Sequence, residues 1–265
     1  MAYERKFKIG KPILEVNNIS LTFGGVKAIT DISFNVKEGE ICAVIGPNGA
    51  GKSSMLNVIN GVYLPQIGTV TYDGVARRSI NPRDAAIAGM ARTFQNIALF
   101  QGMTVLENIM TGRNLFMKST WLEQGLNIGR ARDEERQNRL AVEKVIKFLQ
   151  IESIRKTPVA KLPYGLQKRV ELGRALVAEP KILLLDEPMA GMNLEEKADM
   201  SCFILEINKE QGITTVMIEH DMGVVMDISD RIVVLDYGKK IGSGLPKEIR
   251  NNKAVIDAYL GVSDD

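Results

Sequence analysis

The chain has little of what usually advertises a function. Its 265 residues include two cysteines, one histidine and one tryptophan, and aromatics amount to 6%. Cys42 lies in a strand-like run and Cys202 in a helix-like one. Both are read as buried free thiols of a reducing compartment rather than as a disulfide. No apolar run approaches the ~20 residues of a membrane span, so service to a membrane would require docking to another chain. Residues 1–11 are mildly basic and lack the apolar core of a signal peptide. A formal net charge of +2 gives no ground for binding nucleic acid or an anionic surface. There is no internal repeat and no low-complexity stretch. What remains is 45% hydrophobic and 25% charged, the balance of a cytosolic globular protein with a sizeable core.

One stretch is specific. Gly46, Pro47, Asn48, Gly49, Ala50, Gly51, Lys52 and Ser53 fit G-x-x-x-x-G-K-[ST], the loop that cradles a triphosphate. Several negative charges must be met at close range by many donors. Glycines let successive N–H groups turn toward one anion with no Cβ in the way. Lys52 then reaches the β- and γ-phosphates, and the Ser53 hydroxyl is placed to ligand Mg²⁺. The flanks agree. Residues 41–45 are an apolar run suited to a buried strand, and Met55, Val58, Ile59 and Val62 recur with helical period. A helix starting here directs its positive end at the phosphates.

Strand candidates at 14–16, 19–23, 31–36 and 69–72 are punctuated by Gly24-Gly25, Glu38-Gly39 and Asp73-Gly74. Residues 133–150 read as a helix with Val142, Val145, Ile146 and Leu149 on one side. From about residue 180 strands and helices alternate: 182–186, 213–218 and 232–235 as strands, and a helix marked by Met200, Phe203, Ile204 and Ile207. Tyr237-Gly238 turns the last strand into a hairpin with residues 239–241. The expected fold class is α/β. It has a P-loop core of mainly parallel sheet with flanking helices, an N-terminal antiparallel β subdomain and an inserted α-helical subdomain. Residues 1–96 and 162–265 are assigned to the ATP-binding core and 97–161 to the insertion, which leads to the signature motif described below.

In such sheets ligands sit at the carboxyl ends of strands, and Gly46, Asp186 and His220 all follow strand-like runs. Asp186 is placed to hold Mg²⁺ through water, and Glu187 to polarise the attacking water. His220 would bond the γ-phosphate and hold Glu187 in place.

Together these residues resemble the ATP-binding subunits of ABC transporters. Residues 46–53 match Walker A, with Ser54 at the position that contacts the α-phosphate, and 182–187 match Walker B. Thr93-Phe94-Gln95 resembles the Q-loop, which implies Gln95 as a metal and water ligand. Leu162, Pro163, Tyr164, Gly165, Leu166 and Gln167 occupy the signature position, which implies that Gly165 and Gln167 contact nucleotide held by another subunit. Ala190-Gly191-Met192-Asn193 resembles the D-loop, His220 the switch histidine, and Phe23 the adenine-stacking position. Gly89 to Asn96, the run from Leu99 to Asn108, Ile218-Glu219-His220-Asp221-Met222 and the ending from Val255 to Gly261 are similar to ATPases of branched-chain amino acid importers. The resemblance implies an ATP hydrolase using ATP and Mg²⁺ on the cytoplasmic face of the membrane. It implies a second cassette subunit, a heterodimer being favoured, integral-membrane permease subunits and, indirectly, a substrate-binding protein. Soluble cassette ATPases of DNA repair or translation carry coiled coils, zinc modules or tandem cassettes, which are not seen here. A weakly hydrolysing scaffold is disfavoured by Glu187, Gln95 and His220.

The signature departs from the usual Leu-Ser-Gly/Tyr-Gly-Gln. Pro163 offers neither hydroxyl nor N–H, and Leu166 replaces a polar side chain. Two readings stand: Pro163 starts the next helix harmlessly, or the site is weakened. Leu99, Phe100 and Met103 are candidates for a groove that receives a permease helix, or for packing within the insertion.

Overall fold

The computed structural model describes residues 6–77, 81–117, 119 and 130–260. Strands β1 (Pro12–Phe23) and β2 (Val26–Lys37) form a hairpin across Gly24 and Gly25, both with positive φ. After β3 (Ile41–Ile45) and helix α1 (Lys52–Ile59), β4 (Ile67–Tyr72) and β5 (Val75–Arg77) extend that hairpin into an antiparallel sheet of order β2-β1-β4-β5. Next come α2 (Pro82–Ile87), β6 (Met90–Arg92), α3 (Val105–Met110), α4 (Arg130–Phe148) and α5 (Tyr164–Leu176). They are followed by β7 (Ile182–Asp186), α6 (Leu194–Gln211), β8 (Thr214–Ile218), α7 (Met222–Ile228), β9 (Arg231–Asp236) and β10 (Lys239–Gly244). The short helices α8 (Pro246–Arg250) and α9 (Lys253–Leu260) close the described chain. The second sheet has order β10-β9-β3-β8-β7-β6, parallel except for β10.

Strands β3, β7 and β8 are buried along their whole length because both faces of this sheet are covered. Ile41, Ala43, Ile45, Leu183, Leu185 and Met217 face a core shared with the helices, including Val105, Ile109, Val142, Ile146, Phe203 and Ile207. Cys42, Val44, Ile182, Leu184, Val216 and Ile218 face the antiparallel sheet and α1. The continuous apolar runs are therefore two period-2 stripes interleaved. Removing one such Leu or Ile would cost about 2–5 kcal/mol, and this rigid platform fixes the strand ends.

Several sequence expectations change. The strands expected at 14–16 and 19–23 are one strand with an irregular register, because Asn18 has φ 49° and its amide donates to Ser33 Oγ at 2.8 Å. Helix α1 stops at Ile59 and leaves Val62 47% exposed. Gly61 turns the chain at φ 77°, and the Val62 and Tyr63 amides both return to the Asn57 carbonyl. Cys202 is exposed, not buried, since it occupies the outer face of α6 while Met200, Phe203, Ile204 and Ile207 fill the inner one. The three-residue strand β6 was not anticipated.

Candidate active site

Four neighbouring strands of the parallel sheet deliver their carboxyl ends to one rim. Strand β3 leads into Gly46, β8 into Glu219 and His220, β7 ends on Asp186, and β6 runs into Thr93, Phe94 and Gln95. Gly46 is buried with φ 152°, and a Cβ there would overlap the Leu235 carbonyl of β9. Lys52, the first residue of α1, is buried, and its ammonium donates to the carbonyls of Gly46 (2.7 Å) and Pro47 (3.0 Å). Burial pulls its pKa down, and the nearby charges of Glu187 and Asp186 push it back up. Asn48, Gly49 and Ser53 are exposed at the mouth; Pro47, Gly51 and Ser54 are half-buried and Ala50 is buried.

Asp186 does not stand alone. Arg92 Nη2 donates to Asp186 Oδ2 at 2.9 Å, with both side chains nearly inaccessible at 6% and 4%. Arg92 Nη1 donates to Asn57 Oδ1 on α1 at 2.6 Å, and the guanidinium lies 5.2 Å from the Phe94 ring centroid. Asp186 Oδ1 is buried with no protein partner, an acceptor left over for a metal-bound water. Among the described residues no group of three His, Cys, Asp or Glu could hold a metal. Mg²⁺ would therefore depend on Ser53, Asp186, Gln95 and the phosphate oxygens themselves, a donor set that suits a hard, largely hydrated cation.

Glu187 sits in the left-handed region at φ 48°, and its amide donates to the Ile218 carbonyl at 3.0 Å. Its Oε2 accepts from Gln95 Nε2 at 3.1 Å and lies 3.9 Å from His220 Nδ1. The three residues meet at one oxygen, so this carboxylate is oriented from two sides. Glu219, beside His220, is buried and accepts the amides of Met189 (2.9 Å) and His220 (3.2 Å), tying the histidine loop to the turn after Glu187.

The signature residues are elsewhere. Pro163 is the N-cap of α5, without a side-chain cap, and its carbonyl accepts the Gln167 amide at 3.1 Å. Pro163 thus precedes the helix instead of being its first residue. The Gln167 side chain folds back onto the Leu162 carbonyl at 2.9 Å. Gly165 is buried, and a Cβ there would strike the Glu196 carboxylate. Among the described residues no hydrogen bond joins Gly165 or Gln167 to the phosphate loop of the same chain. Phe23 is 44% exposed and stands edge-on to Tyr63, with centroids 5.0 Å apart. Leu99 packs in the interior and leaves the groove proposal, whereas Phe100 and Met103 are exposed. Asn108 bonds the Phe100 amide and the carbonyls of Phe100, Met103 and Thr104, which stiffens that loop.

Sequence reasoning missed Arg92, Glu219 and the group Lys168, Glu171 and Arg174. The usable signal was a charge beside an apolar strand, or at i, i+3, i+6 on a buried helix face.

The fold and this rim define a P-loop ATPase of the ATP-binding cassette class. The ABC transporter family model matches residues 29–190, and a second model, the branched-chain amino acid ATP-binding cassette transporter, matches residues 239–265. The chain belongs to the ABC transporter family, in its branched-chain amino acid branch, and is an ATP hydrolase. It is 36% identical over 253 residues to the high-affinity branched-chain amino acid transport ATP-binding protein BraF of Pseudomonas aeruginosa, covering 96% of this chain and 99% of BraF. To the corresponding protein LivG of Escherichia coli K12 it is 37% identical over 261 residues, with 96% and 99% covered. It is similar to the crystal structure of the ADP conformation of the cassette MJ1267, with TM-score 0.82, 31% identity and 94% and 99% of the two chains covered.

Proposed function

We propose that this chain is the peripheral ATPase of an importer for branched-chain amino acids or a related small polar solute. It would bind on the cytoplasmic face to integral-membrane permease subunits, which receive solute from a substrate-binding protein. The names of BraF and LivG support the solute class. Among the described residues no helix is long and apolar enough to cross a membrane, consistent with peripheral attachment. Exposed Phe100 and Met103 are candidates for the permease contact, as is exposed Phe94, which lines a groove of about 390 Å³ with Pro82, Ala86, Leu115 and Arg174. We take residues 97–161 as the helical subdomain and 1–96 with 162–265 as the core.

The observation that carries hydrolysis is the meeting of Gln95 and His220 at Glu187 Oε2, on the same rim as Lys52. Glu187 would take a proton from the attacking water. Gln95 would hold that water, and His220 would bond the γ-phosphate. Lys52 and the amides of residues 46–54 bind the phosphates, and Phe23 stacks on adenine. Bound Mg²⁺ would neutralise developing charge; Ser53, Asp186 and Gln95 would hold it. Gly165 and Gln167 would meet the triphosphate of a second cassette subunit, in a heterodimer by preference, so two composite sites form. Glu187→Gln tests the reading: ATP binding should persist while hydrolysis is lost. Full hydrolysis by the variant would refute it. In the assembled transporter Phe100→Ala should lower solute-stimulated ATPase and spare ATP binding; equal stimulation would remove the proposed contact.

A further inference from the structure

The two oxygens of Asp186 have different fates. Oδ2 accepts from Arg92 Nη2 at 2.9 Å, while Oδ1 is buried without a protein partner. Arg92 is fixed in that position. Its backbone pairs with Leu184 in the parallel sheet, its Nη1 donates to Asn57 Oδ1 at 2.6 Å, and the Phe94 ring lies 5.2 Å from the guanidinium. Its Nε is buried without a partner, so the fork is directed at Asn57 and Asp186 alone. Asn57 belongs to α1, the helix that opens with Lys52 and Ser53. A carboxylate buried this deeply with no counter-charge would draw any divalent cation that reached it. Lys52 and Arg92 instead match the charges of Asp186 and Glu187 one for one.

We propose that Arg92 is a built-in counter-charge for Asp186: it occupies Oδ2, keeps this carboxylate from taking a divalent cation before nucleotide arrives, and leaves Oδ1 to accept from a metal-bound water when a triphosphate brings the metal in. The inference rests on the nucleotide reading above. A carboxylate that shares its charge with a guanidinium is a poor direct ligand for a hard cation, yet it still accepts a hydrogen bond from water. The rest of the negative charge must come from the phosphate oxygens, so this chain would take metal only together with triphosphate. Asn57 holds the guanidinium on the same helix that presents Lys52 and Ser53, which aligns Asp186 with the phosphate loop. Arg92 acts on the metal only through Asp186 and is a positioning residue.

The probe is Mn²⁺ alone, titrated into the nucleotide-free full chain and read by electron paramagnetic resonance, with circular dichroism to confirm that each variant is folded. Arg92→Met should bind Mn²⁺ about tenfold or more tightly than the parent. Asp186→Asn added to it should return the affinity to the parent's. A purely structural ion pair would change stability and leave the Mn²⁺ affinity where it was. Equal affinity in the parent and the folded variant therefore overturns the inference, and so does a gain that survives Asp186→Asn, since the cation would then sit elsewhere. If Arg92→Met does not fold, Arg92→Lys carries the same test: one ammonium cannot bridge Asn57 and Asp186 as the fork does, and the gain should be about threefold. No gain in that folded variant overturns the inference. Binding of a fluorescent Mg-ATP analogue to the parent is the separate arm. A parent that binds none refutes the nucleotide reading, and the inference with it, whatever the Mn²⁺ curves show.

Discussion

The phosphate loop and the amino end of α5 are proposed to meet the same triphosphate from opposite subunits, yet they are built on different physics. The phosphate loop is braced from beneath. Gly46 closes on the Leu235 carbonyl, Lys52 is bonded to the loop itself, and the carboxylates rise from buried strands. The amino end of α5 has no side-chain cap, starts after a residue without an N–H, and lies against the Glu196 carboxylate and Gly191. One half holds its shape by the sheet beneath it, the other by its neighbours in residues 191–196. A loop of the first kind resists substitution at Gly46 and Gly51, where a Cβ would meet the Leu235 and Ala28 carbonyls; the second kind can vary in sequence while its contacts hold.

Breaking the braced half should have the largest effect. Lys52→Ala should abolish measurable ATP binding, and Glu187→Gln should lower turnover by about 10²–10⁴-fold with binding intact, read from ATPase rate and nucleotide titration together. Next, Arg92→Met would leave Asp186 buried without its counter-charge. Urea unfolding should show a loss of about 3–5 kcal/mol, and a loss within error of zero would show that the pair does not brace the rim. On the other half, Pro163→Ser should change turnover of the assembled transporter by less than about tenfold, the scale of one hydrogen bond. A larger gain would mean that the natural sequence had weakened the signature.

The smallest effect is a pH slope. Burial pushes the Glu219 carboxyl above its ordinary 4.5, against the Met189, His220 and Asp221 amides that pull it down. A carboxyl raised on folding stabilises most below its unfolded value and loses that contribution as pH climbs through the folded one. Thermal melts of Glu219→Gln should therefore gain on the parent between pH 4.5 and neutrality. A constant difference across that range would show that Glu219 titrates alike in both states.

The same contrast explains what could be read in advance. Residues 46–53 were legible because a triphosphate demands glycine, lysine and a hydroxyl in one contiguous order. Asp186 was legible because the strand before it is an unbroken apolar run, and His220 because a run rich in β-branched residues precedes it. Arg92 was not, since its partners Asn57 and Asp186 lie 35 and 94 residues away and only the sheet order brings them together. The second reason for Gly165, the pressure of Glu196, likewise depends on a helix starting 29 residues later. Cys202 and Val62 were misplaced by extending a helical period across positions where one face meets water and the other a turn.

The turn between β9 and β10 looks like a place where a chain could accept extra residues, since Tyr237 is almost wholly exposed. Its neighbour forbids it. The Gly238 amide donates to the Ala50 carbonyl at 3.1 Å, the Gly238 carbonyl accepts from Thr30 at 2.7 Å, and a Cβ on Gly238 would press on the Ala28 carbonyl. A fusion tag, loop graft or circular permutation opened at this hairpin would pull on the triphosphate cradle and on the antiparallel sheet at once. An engineer seeking a permissive insertion point should pass over this accessible bend.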